Sequence, residues 1–120
     1  MVESPKINTF CDSRLTWING EPGDGNDGKW WLETGITGKN ELVVRPAPNL
    51  DYWSRTFYNP LLIKHNGQSL CANLPAEVEA TITTSFTLYP RAQFDQAGVM
   101  ILVDKDTWVK AGIEFFDGVP

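Results

Sequence analysis

The sharpest alternation of apolar and polar positions lies near the end of the chain. Between Phe94 and Gly118, two apolar runs flank Asp104-Lys105-Asp106, a cluster of charge at which a β-hairpin reverses. In the second arm Val109, Ala111, Ile113 and Phe115 fall on one face. Trp108, Lys110, Gly112, Glu114 and Phe116 fall on the other, because successive strand residues point to opposite sides. The first face predicts core. The second carries an aromatic, a cation, a gap and an anion. A strand buried on both sides would not carry Lys110 and Glu114, since unpaired buried charge is costly. That face therefore meets either plain solvent or a polar ligand groove.

The same reading extends along the chain. Residues 1–16, with Ile7, Phe10 and Leu15, predict an edge strand, and Trp17-Ile18-Asn19 precedes a polar, Gly-rich loop over 20–28. Lys29–Thr34 and Glu41–Arg45 predict strands around a turn at 35–40, and Pro46 and Pro48 stop the second because neither donates to a ladder. Asp51–Tyr58 alternates with aromatics on both faces. Leu61–His65 predicts a strand closed by the Asn66-Gly67 turn pair, with Gln68–Leu74 running back. The longest period-2 stretch is Ala76–Leu88. There Val78, Ala80, Ile82, Thr84, Phe86 and Leu88 point inward, and Glu77, Glu79, Thr81, Thr83, Ser85 and Thr87 outward. No i, i+3, i+4, i+7 apolar pattern supports a helix. About eight or nine short strands with turns between them predict an all-β, antiparallel β-sandwich in a single domain over residues 1–120.

Composition narrows the function classes. With 42% hydrophobic and 21% charged residues the chain reads as globular rather than disordered. A net charge of −5 disfavours nucleic acid and anionic membrane surfaces as partners. No apolar run approaches the roughly 18 residues of a spanning helix, and the first residues show no signal-peptide pattern. A cytoplasmic address is the default expectation. Cys11 and Cys71 lack metal-type spacing, so they read as separate thiols packed like small hydrophobes unless they meet in space.

Two sets of residues resemble a known family. One is Asp95-Gln96-Ala97-Gly98-Val99-Met100 with Asp106 to Glu114 and Asp117-Gly118; the other is Asp51 to Thr56 with Lys64-His65-Asn66-Gly67. Together they resemble the "regulation of enolase" proteins, a family of unknown biochemical function in the concanavalin A-like lectin/glucanase superfamily. The resemblance covers most of residues 10–118. It implies a concanavalin A-like jelly roll. Members continue past the Asp-Gly of this hairpin, so the resemblance further implies a sandwich incomplete at the C-terminus, these residues being the N-terminal part of a longer domain. It would be completed by a homo-oligomer or a companion chain.

Catalytic motifs are sparse. Glucanases of the superfamily use paired carboxylates about 5–5.5 Å apart in retaining enzymes. Glu77 and Glu79 share a strand face, but Ile82 stands where a third acid would follow. His65 precedes a turn, and no nucleophile elbow, phosphate loop or dinucleotide fingerprint is present. Asp24, Asn26 and Asp27 lack the spacing of a calcium loop. No metal or cofactor is expected. Binding is the better reading: Gln96, Trp108, Lys110 and Glu114 offer a platform and planar polar groups, and Asp51, Trp53 and Arg55 are candidates for the same cleft. Core packing is the alternative for Trp53 and Trp108. The sequence thus predicts a non-catalytic module for a carbohydrate or small polar ligand. The alternatives are a protein–protein regulator of a metabolic enzyme such as enolase, as the family name implies, and a diverged glycoside hydrolase.

Overall fold

The computed structural model describes residues 6–25, 27–35 and 40–120. Eight strands follow one another: β1 (Thr16–Ile18), β2 (Lys29–Thr34), β3 (Asn40–Arg45), β4 (Tyr52–Ser54), β5 (Ile63–His65), β6 (Ser69–Cys71), β7 (Gln96–Asp104) and β8 (Thr107–Glu114). They form four antiparallel pairs, β1–β6, β2–β3, β4–β5 and β7–β8. No helix occurs among the described residues. The protein is all-β, consistent with the antiparallel sandwich read from the sequence. It divides into two compact units, residues 1–79 and 80–120.

In the first unit β2 and β3 form over the stretches whose alternation predicts them, in register from Lys29 opposite Arg45 to Thr34 opposite Asn40; of the turn expected at 35–40, residues 36–39 lie outside the described residues. The expected edge strand over 1–16 is not seen in residues 6–15. These turn instead through Asp12 N–H to Thr9 O and Leu15 N–H to Asp12 O, and residues 1–5 lie outside the described residues. Strand β4 is shorter than the alternation over Asp51–Tyr58 suggests. Arg55 and Phe57 have left-handed backbones (φ 64° and 68°), which end the pleat.

The Asn66-Gly67 pair does not join a hairpin. β5 pairs with β4, and β6 with β1. Gly67 is not among the residues with positive φ, so it does not supply the left-handed turn that such a hairpin requires. Instead the Asn66 and Gly67 N–H groups both donate to Asp51 O, at 2.9 and 3.1 Å. A Cβ on Gly67 would lie 2.9 Å from the Tyr52 ring, so glycine here is what lets the chain pass against that ring. Tyr52, at 5% exposure, is the buried hydrophobic residue of the described chain. Its hydroxyl accepts from Asn19 Nδ2 at 2.7 Å, and the same amide reaches His65 O and Gly67 O. One side chain at φ 64° thus links the end of β1 to the β4–β5 pair.

The second unit holds the expected hairpin. Lys105-Asp106 turns it, with Asp104 opposite Thr107 and a register irregularity between Leu102 and Asp104. Two sequence expectations fail here. The face predicted as core is open: Val109 is 65% exposed, Ile113 43% and Ile101, opposite Val109, 59%. Alternation sorts side chains between two faces; it does not provide the layer that covers one of them. The second failure is the strand expected over Ala76–Leu88. Residues 80–90 form no ladder, and the side chains read as inward are largely open. An alternating segment becomes a strand only when another strand bonds to its edge.

Candidate binding face

The register of β7 and β8 brings four candidate residues onto one face. Gln96 stands opposite Glu114, Met100 opposite Lys110 and Leu102 opposite Trp108, while Gly98 faces Gly112 between them. At one end Lys110 Nζ lies over the Trp108 ring, 5.8 Å from its centre, and both side chains are half-buried. At the other end Gln96 Nε2 donates to Glu114 Oε2 at 3.4 Å and to Phe94 O at 3.3 Å. The middle is bare backbone. A Cβ on Gly98 would collide with Ala111 O and stand 2.7 Å from Gly112 Cα; one on Gly112 would collide with Ala97 O. The close approach of the strands at this point therefore excludes any side chain. From Trp108 to Glu114 the strand covers about 20 Å at its usual rise. The face thus runs from an aromatic and a cation, across a floor of two glycines, to an amide and a carboxylate.

The turn at the tip of the hairpin is held by charge. Asp104 Oδ1 accepts the Asp106 N–H at 2.9 Å, and this backbone bond holds the Asp104 carboxyl below its ordinary range. The Lys105–Asp106 ion pair at 3.1 Å is exposed, and such pairs add little.

Asp51, Trp53 and Arg55 lie in the first unit, and the structure gives them local tasks. Asp51 organises the chain around itself: its N–H donates to Asn66 Oδ1, and its carboxylate accepts from Tyr52 N–H. Trp53 is half-buried, donates Nε1–H to Thr56 O and meets Tyr58 edge-on with ring centres 5.6 Å apart. Arg55 is exposed and left-handed.

A second aromatic–cation arrangement escaped the sequence reading. Lys29 Nζ lies 4.9 Å from the centre of the Trp31 ring, and the Arg45 guanidinium carbon 5.7 Å. The two cations stand directly opposite each other across β2–β3, where like charges repel. The shared ring draws both cations. The Trp30-Trp31 pair was visible in the sequence, but the β3 residue that would oppose Lys29 was not.

Cys11 and Cys71 are both free thiols. Cys11 is exposed, contrary to the small-hydrophobe reading, and its Sγ accepts from Asn40 Nδ2 at 3.2 Å. Cys71 is half-buried, and burial pushes its thiol pKa up. The Cys71 environment therefore disfavours the thiolate that nucleophilic chemistry needs. His65 contributes its backbone to β5, and Glu77 and Glu79 precede the unpaired segment. Of the calcium-like loop, Asn26 lies outside the described residues, and no cluster of metal-ligating side chains occurs among those described.

This geometry belongs to a chain that matches a known family over residues 29–120. The chain belongs to the family described as "Protein of unknown function (DUF1349)". That span takes in β2 to β8, including the whole hairpin and its glycine pair. The DUF1349 chain is also similar to the Saccharomyces cerevisiae protein named "Regulation of enolase protein 1", with 32% identity over 78 residues. The match covers 65% of this chain and 37% of the relative. No solved structure matches it.

Proposed function

We propose that this DUF1349 chain is a non-catalytic binding module whose β7–β8 polar face receives a carbohydrate or another small polar ligand. In this reading the strand pairs assemble in the concanavalin A-like manner that the family resemblance implies. The observation that carries it is the layout of the face: Trp108 and Lys110 at one end, the Gly98/Gly112 floor, and Gln96 and Glu114 at the other. A sugar ring offers an apolar face to an aromatic and hydroxyls to planar polar groups, and a floor without side chains lets it approach the backbone. Exposure alone does not single this face out, because the opposite face is open too. Composition does.

The test is a panel of mono- and oligosaccharides against the protein's melting temperature, followed by circular dichroism. A binding sugar raises the melting point, and Trp108→Ala abolishes the shift while leaving the unliganded spectrum unchanged. No shift across the panel overturns the reading.

A second reading is regulation of a metabolic enzyme by direct contact. It is favoured by the name of the Saccharomyces cerevisiae relative and by the open apolar face built from Ile101, Val109 and Ile113. Contiguous exposed apolar surface marks protein contacts. Binding to purified enolase, abolished by Val109→Asp and retained in Trp108→Ala, would select it over the sugar reading.

A further inference from the structure

We propose that residues 80–88 are a pairing strand through which two copies of the chain join, antiparallel about Thr84. The segment has the sequence pattern of a strand but no strand bonded to it among the described residues. It alternates except at Thr84, is rich in β-branched residues (four Thr and Ile82), and has no charged residue between Glu79 and Arg91. Residues 80–90 make no backbone hydrogen bond to any other described residue. Ile82 is 55% exposed, and Phe86 is exposed as well. Proteins protect such edges with charge, proline or a bulge. Here only Pro90, at the far end, does so. An uncharged, alternating edge of this kind is a template for strand addition.

The sequence itself names a second copy as the occupant. Turned about Thr84, the segment is complementary to itself. Ile82 meets Phe86 of the second copy and Ala80 meets Leu88, so apolar lies opposite apolar. On the other face Thr81 meets Thr87 and Thr83 meets Ser85, so hydroxyl lies opposite hydroxyl. Aromatic with β-branched, and Thr with Thr or Ser, are favourable cross-strand pairs. A slip of one residue sets Ile82 against Ser85 and loses both matches. The net charge of −5 does not oppose the contact, because none of that charge lies within the segment. The arrangement is isologous, each copy using the same surface, so it closes as a dimer.

The experiment is sedimentation of the full chain over a range of concentrations. The wild type is expected to form a dimer. Thr84→Lys sets two ammonium groups opposite each other on the axis and raises the dissociation constant roughly tenfold. Thr84→Val keeps the β-branched shape and leaves it unchanged. Register is read by oxidative cross-linking in a Cys11→Ser, Cys71→Ser background. Thr84→Cys gives a covalent dimer, whereas Ile82→Cys does not, its two copies standing about 13 Å apart along the strands. A wild type that stays monomeric, a dimer indifferent to Thr84→Lys, or Ile82→Cys cross-linking as readily as Thr84→Cys would each overturn the proposal. A sugar screen without hits would leave it untouched, since the β7–β8 polar face takes no part in it.

Discussion

The hairpin β7–β8 and residues 80–90 belong to one compact unit and carry the same kind of alternating sequence, yet only the first is a ladder. The difference is where a partner comes from. β8 lies a two-residue turn beyond β7, so bringing the strands together costs little loop entropy. Residues 80–90 lie only a short link before β7, yet no strand bonds to them among the described residues. Alternation determines which side chains share a face; it does not by itself give the backbone a mate. The first unit shows an intermediate case. Its short strands pair across long separations, β1 with β6 for instance, and side chains such as Asn19 hold them there.

Substitutions that remove a partner from the paired regions should cost most. Gly98→Val places a Cβ where Ala111 O and Gly112 Cα stand, and should destabilise the protein by about 3 kcal/mol in chemical denaturation. A well-tolerated Gly98→Val would mean that the hairpin is no tighter than the unpaired segment. Next comes Asn19→Ala, which removes the amide from Tyr52, His65 and Gly67 and leaves alanine at φ 64°. A loss of about 2 kcal/mol is expected. In contrast, Ile82→Ala in dilute solution should cost less than about 0.5 kcal/mol, because more than half of its surface is already exposed. A larger loss would show that residues 80–90 are already packed.

The smallest effect concerns pH. Asp104 has its folded pKa depressed below the ordinary 3.8, so it stabilises the turn above that value. The contribution fades as pH falls through the folded value. A carboxyl titration by NMR should show Asp104 protonating below the ordinary range, and Asp104→Asn should flatten the hairpin's acid dependence. Asp12 gives a reference in the first unit: Arg14 hydrogen-bonds its carboxylate and lowers its pKa to about 2.

Much of the architecture was legible because local signals sufficed. β2, β3, β7 and β8 stand where alternation and turns put them. The candidate face could be read from parity alone, since Trp108, Lys110 and Glu114 are two or four residues apart. Gln96 was a candidate with them from the sequence, and the register of β7 against β8 sets it opposite Glu114. Asn66-Gly67 misled because the dipeptide favours a hairpin, while Asp51 O captured both of its N–H groups across the sequence. The paired cations over Trp31 were hidden for the same reason, since nothing near Lys29 in sequence points to Arg45.

The placement of the indoles has an optical consequence. Of the five tryptophans, Trp108 alone belongs to residues 80–120. With Trp17, Trp30, Trp31 and Trp53 replaced by phenylalanine, all indole fluorescence would originate beside the Lys110 ammonium. The colour and quenching of that one emitter would then report directly on whatever settles against it, with no label attached.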